Sequence, residues 1–167
     1  MQVAAGDNAM RMTFSTLGDG TIIKVSGDFG TDYGFLSALD VPASGQGASF
    51  KGTAASVQDR KDGLVLALST KGEVGYKHYR LHADFPAALR VQEGKLTVEL
   101  SQDLQPPAFQ LMQPLPGGTV TVGAPGAWVL SKPLPGVTLT ASAAGLVLKV
   151  PAGLKAVTVV RETAVGR

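Results

Sequence analysis

The chain contains no cysteine, which removes a disulfide framework, a thiolate nucleophile and any zinc or iron–sulfur site built on sulfur. Aromatic residues make up only 6% of it, too little material for a broad stacking platform. Basic residues are scattered with no run of five or six, so a formal net charge of +2 and a pI near 9.0 leave no nucleic-acid footprint. No apolar stretch approaches the roughly 20 residues of a membrane-crossing helix. The opening MQVAAGDNAMRMTF lacks the basic start and apolar run of a secretory leader. Also missing are GxxxxGK[ST], GxSxG and HExxH, and with them the simplest signatures of phosphate loops, hydrolase elbows and zinc proteases.

What is present is a globular composition, 44% hydrophobic and 17% charged, over 167 residues that suit one domain. Twenty-one glycines and ten prolines are spread as punctuation between short runs of alternating polarity. No apolar stripe persists through three helical turns. The expected class is all-β, a two-sheet antiparallel β-sandwich, with a short irregular parallel β-helix as the alternative. Strands are expected at Met10–Leu17, Thr21–Ser26, Tyr33–Leu39, Ala48–Lys51, Ala54–Asp59, Leu64–Ser69, Glu73–Tyr76 and Tyr79–Ala83. Further strands are expected at Ala88–Gln92, Lys95–Ser101, Ala108–Gln113, Gly118–Val122, Ala127–Leu130, Val137–Ala141, Gly145–Val150 and Ala156–Arg161.

Gly18-Asp19-Gly20, Asp62-Gly63 and Glu93-Gly94 carry hairpin-turn chemistry. A turn at Glu93-Gly94 puts Leu89, Val91, Leu96, Val98 and Leu100 on one buried face, and Arg90, Lys95, Thr97 and Glu99 toward water. The proline-rich Gln105–Gly118 segment reads as a crossover between layers. Residues 1–167 are expected to form a single sandwich, a piece of a larger enzyme, with residues 1–9 flexible.

Three places could carry chemistry. In SGDFGTDYGFLS, Asp28 and Asp32 flank a glycine turn, a spacing that could bring two carboxylates onto one Ca²⁺. The competing and favoured reading is a corner in which Gly and Asp turn the chain while Tyr33, Phe35 and Leu36 return it to the core. In GYKHYRLHAD, a continuous strand would set Tyr76, His78, Arg80 and His82 on one face and Tyr79, Leu81 and Ala83 on the other. That face would hydrogen-bond a sugar or pair with a uronate carboxylate, for which the planar arginine fork is suited. His78 and His82, about 13 Å apart at roughly 3.3 Å per strand residue, could not share one metal ion. Trp128, the sole tryptophan, sits among prolines and glycines, where it would either stack on a sugar or close one end of the core.

The stretches DGTIIKVSGDFGTDYGFLS, VPASGQGASFKGTAASVQDRKDGLVLALSTKGEVGYKHYRL and LPGVTLTASAAGLVLKVPAGLKAVTVVRE together cover most of the chain from about Asp19 onward. They resemble the β-rich C-terminal portions of bacterial polysaccharide-active enzymes, among them heparinase II/III-like lyases and some glycoside hydrolases. The resemblance implies a non-catalytic accessory sandwich, since the catalytic groups of such enzymes largely reside in a preceding toroid or barrel. It implies polysaccharide, a catalytic domain of the same parent chain, or both as partners, and a secreted or periplasmic setting. No cofactor is expected beyond the Ca²⁺ option. The rivals are a small lyase or hydrolase acting on acidic glycans through Tyr76, His78 and Arg80 or the aspartates, and an adhesive or assembly module.

Overall fold

The computed structural model describes residues 2–5, 10–17, 20–100 and 117–162, and every element in them is a strand. One sheet has ten strands in the order β1 (Gln2–Ala5), β2 (Met10–Leu17), β3 (Gly20–Gly27), β4 (Gly30–Ser37), β7 (Ala54–Arg60), β8 (Gly63–Leu68), β11 (Ala87–Gln92), β12 (Lys95–Glu99), β17 (Ala156–Arg161) and β14 (Trp128–Leu130). The other has seven, in the order β15 (Thr138–Ser142), β16 (Gly145–Val150), β13 (Gly118–Gly123), β10 (Tyr79–Ala83), β9 (Gly72–Tyr76), β6 (Ala48–Gly52) and β5 (Pro42–Gly45). Every pairing is antiparallel, which excludes the parallel β-helix and makes the fold a two-sheet β-sandwich.

From β4 onward the chain builds the sandwich by alternating sheets. The hairpin β5–β6 belongs to the seven-stranded sheet, β7–β8 to the ten-stranded sheet, β9–β10 to the seven-stranded and β11–β12 to the ten-stranded. The tight turns of these hairpins therefore gather at one end, the mouth, while the links between hairpins cross from sheet to sheet at the other. One link crosses at the mouth itself, the run Ala124–Ala127 joining β13 to β14, with Ala124 1% exposed. The chain also changes sheets between Glu99 and Gly118, where a crossover is expected; the strand expected at Ala108–Gln113 lies outside the described residues.

Alternation along each strand sends one set of apolar side chains inward. Leu89, Val91, Leu96, Val98 and Leu100 are all buried, and the Glu93-Gly94 turn sits between the paired residues Gln92 and Lys95, as expected. Phe35 from β4 stacks on Phe50 from β6 with ring centroids 4.8 Å apart and planes 4° apart, joining the two sheets directly. Among the described residues no charged side chain is buried. The buried side chains are apolar.

Three local expectations differ. Leu36 is 60% exposed and does not return to the core with Tyr33 and Phe35, because adjacent strand residues point to opposite faces and Phe35 takes the inward one. The turn after β7 is Lys61-Asp62, one residue earlier than Asp62-Gly63, and Gly63 opens β8 opposite Arg60. Its φ is +145° and a Cβ there would lie 2.6 Å from the Val91 carbonyl oxygen, so glycine is required by the close approach of β11. Gln2–Ala5, inside the stretch expected to be flexible, form the edge strand β1.

Within the β2–β4 meander, β2 reverses the usual polarity, and apolar side chains of β3 and β4 occupy both faces. Met12, Phe14, Ile23, Val25 and Leu36 lie on the sheet face turned away from the seven-stranded sheet, whereas Thr13, Ser15, Lys24 and Ser26 share the face of buried Ile22. Phe14 is 41% exposed and Met10, on the same outward face, 45%.

Truncating Phe35 to Ala should remove about 3–5 kcal/mol of stability, the usual cost of deleting a buried aromatic ring. Phe35→Leu should cost visibly less. Urea unfolding midpoints at constant m-value would measure both, and a midpoint unmoved in Phe35→Ala would show that the sheets are not joined there.

Candidate functional site

The mouth holds a cleft of about 770 Å³. It runs between the turn Lys61-Asp62 and the turn Glu93-Gly94, with Asp59, Leu64, Tyr79, Val91, Trp128 and Arg161 completing its lining. Hairpin geometry explains why these residues meet: β7–β8, β11–β12 and the end of β17 are neighbours in one sheet and all turn or end at the same level. Tyr79 reaches the cleft from the opposite sheet. Three acidic residues, Asp59, Asp62 and Glu93, and three basic ones, Arg60, Lys61 and Arg161, give a formally neutral lining.

Part of that charge is already committed. Asp59 accepts a hydrogen bond from the Tyr76 hydroxyl at 3.0 Å and pairs with Lys77 Nζ at 2.8 Å, tying β7 to the turn after β9. Lys77 holds φ of +55°, a strained value for a residue with a Cβ, and its ammonium lies 5.4 Å from the Tyr76 ring centroid. Tyr76 packs on Tyr33 with centroids 5.3 Å apart, and the Tyr33 hydroxyl donates to the Gln46 carbonyl at 2.7 Å. Burial, then the hydrogen bond to the Asp59 carboxylate, raise the Tyr76 phenol well above its ordinary value, because both disfavour the phenolate.

Trp128 is 3% exposed, so its indole packs into the core. Its Nε1 is buried without a hydrogen-bond partner among the described residues, an arrangement that costs about 1–3 kcal/mol. The Arg161 guanidinium covers the ring, with Cζ 5.6 Å from the centroid.

The residues singled out from sequence do not form one face. A two-residue turn at Lys77-His78 interrupts the strand, so Tyr76 pairs with Tyr79 and both pack against the core, while Arg80 and His82 lie on the outward face. Glu73 stands opposite His82 there and lies 3.8 Å from Arg80. His78 is exposed on the turn, its ring 5.3 Å from that of Tyr79. The physical reason is the positive φ at Lys77, which folds a tight hairpin where the sequence GYKHYRL carries no Asn or Gly at the turn to announce it.

Asp28 is exposed in the turn between β3 and β4. Asp32 receives two hydrogen bonds from Arg60, Nη2 to Oδ2 at 2.6 Å and Nε to Oδ1 at 3.3 Å, on the outer face of the sheet. Arg60 in turn lies over the Phe29 ring at 5.5 Å. Among the described residues no three His, Asp or Glu side chains gather as a metal site would require.

Sequence reading missed Asp59, Lys61, Gln92, Glu93, Tyr79 and Arg161 as one group. The signal was available only in part: two hairpin turns, at RKDG and QEGK, flag polar tips, yet nothing local says that the tips are neighbours. Compared with protein-family models, curated proteins and solved structures, the chain matches none.

Tyr76→Phe removes the hydrogen bond to Asp59 and should cost about 0.5–1.5 kcal/mol near neutral pH. Because the folded phenol titrates above the unfolded value of about 10, the hydroxyl's contribution is complete below pH 10 and fades as pH rises through the folded value. Unfolding midpoints of wild type and Tyr76→Phe should therefore converge between pH 9 and alkaline pH; a gap that widens instead would contradict the assignment.

Proposed function

We propose that the chain is a non-catalytic β-sandwich module of a carbohydrate-active enzyme, and that it contacts polysaccharide at the mouth of the sandwich. The observation that carries this reading is the mouth cleft, where the partly buried ring of Tyr79 borders hairpin tips bearing Lys61, Asp62, Gln92 and Glu93. Sugars are bound by this combination: a flat apolar wall for the ring face and polar side chains that donate to and accept from hydroxyls.

Two further observations support a module over a free-standing enzyme. Tyr76 and Arg80 occupy opposite faces of their sheet, so the proton-transfer and carboxylate-neutralising roles of a small lyase have no common substrate position. The outward face of β2–β4 leaves Met10, Phe14 and Leu36 exposed on the same side, an apolar surface of the kind that packs against a neighbouring domain. In this reading that face rests on the catalytic domain of the parent chain and the mouth is left for glycan.

Affinity electrophoresis through gels containing neutral or acidic polysaccharides tests the proposal. Retardation is expected in at least one gel, reduced severalfold by Tyr79→Ala and unchanged by Leu36→Asp. Free migration in every gel would overturn it, and retardation lost in Leu36→Asp but kept in Tyr79→Ala would move the contact to the outer face.

A further inference from the structure

We infer that the niche beside Gly126, which lines a shallow cavity with Ala127, Ala141, Ser142, Ala143 and Glu162 next to the mouth cleft, takes the carboxylate of an acidic sugar, with Arg161 and the Trp128 indole N–H as its donors. The inference rests on the glycan-binding reading above and narrows it to polymers that carry uronate. Gly126 lies in the one link that crosses between the sheets at the mouth, and its φ of +111° keeps side chains out of this position. A Cβ built on it would lie 3.8 Å from Arg161 Nε, 3.9 Å from Arg161 Cζ and 3.9 Å from Trp128 Nε1. Both groups therefore border a single point that no side chain occupies.

Indole and guanidinium are donors with no acceptor capacity, so they cannot satisfy each other. Among the described residues Trp128 Nε1 has no partner and Arg161 has no carboxylate within ion-pair distance. The other cations of the lining differ: Arg60 is held by Asp32, and Lys61 projects from an exposed hairpin tip. Two convergent donors lacking acceptors are complementary to a group with two acceptor oxygens and no proton. A carboxylate meets that description, one oxygen facing the guanidinium and the other the indole N–H. A sugar hydroxyl does so less well, since its own proton must point at one of two donors.

Trp128 Nε1 is fully covered, and the guanidinium of the exposed Arg161 lies over the indole ring, Cζ 5.6 Å from its centroid. Engagement thus requires the arginine side chain to swing from the ring toward the incoming carboxylate, uncovering the N–H. Asp62 and Glu93 on the hairpin tips accept from sugar hydroxyls. The negative charge of the ligand is read at one place.

Trp128 is the only tryptophan, so emission excited selectively at tryptophan, away from tyrosine absorption, reports on the niche. Wild type, Arg161→Gln and the surface control Lys155→Gln would be titrated with galacturonate and galactose, and with polygalacturonate and its fully methyl-esterified form. Unfolding midpoints would confirm that the variants are folded. Galacturonate should change the emission of wild type and galactose should not. Polygalacturonate should bind wild type and Lys155→Gln alike, and Arg161→Gln at least about tenfold more weakly, the loss of one charge-assisted contact. Equal binding of the esterified polymer, with Arg161→Gln unaffected, would overturn the carboxylate niche and leave the glycan-binding module standing. Absence of binding to every polysaccharide would overturn the module reading and this inference together.

Discussion

Neither sheet of this protein can stay apart from the other, because each carries an inward face of Leu, Val, Ile and Phe that water would have to cover. Side chains such as Leu66, Leu81, Leu89 and Leu148, each 0% exposed, contribute about 1.5–3 kcal/mol apiece when removed from water. Charge is excluded from that space: among the described residues every ion pair lies at the surface, and the only buried side-chain nitrogen or oxygen without a partner is Trp128 Nε1. The mouth cleft follows from the same constraint. A chain that alternates hairpins between two facing sheets must put their turns together at one end, and turns are made of residues that cannot enter the core.

This division of labour explains why the ends differ. Links between hairpins bridge the sheets at one end and hold them together, while at the mouth, among the described residues, only the Ala124–Ala127 link does so. Trp128 follows immediately and fills the space below the link, which leaves its polar edge beside Gly126 and Arg161. The side chain that closes the core is thereby the one that carries an unused donor to the cleft. On the other side of the mouth, the Tyr76, Asp59 and Lys77 cluster clamps the sheets and consumes charge that would otherwise face a ligand.

Much of the fold was legible in the sequence. Alternation in LRVQEGKLTVEL, with Gly94 at the turn, dictates both the hairpin and its buried face, because a one-residue slip would expose Leu89, Val91, Leu96 and Val98 together. The class of fold follows from many such segments. The site was less legible for two physical reasons. Periodicity tells which face a residue occupies only while the strand continues, and the turn at Lys77-His78 carries no Gly or Asn to mark the interruption; Tyr76 and Arg80 were therefore assigned to one face when they lie on two. Spatial grouping of the hairpin tips depends on strand order, and the zigzag order of these sheets is not encoded in any single segment. Strand β2 shows a third limit: MRMTFS alternates cleanly, but Met10, Met12 and Phe14 face outward, and alternation alone does not say which side the core is on.

Amide hydrogen exchange with and without an acidic polysaccharide addresses the central claim most directly, that the interior is closed and ligand contact is confined to the mouth. Slowest exchange is predicted in β8, β11, β12, β13 and β16 in either condition, with ligand-induced protection restricted to the turns at Lys61-Asp62 and Glu93-Gly94 and to the Gly126–Trp128 link. Fast exchange through the central strands, or protection spread over the outward face of β2–β4 while the mouth stays unchanged, would contradict the account.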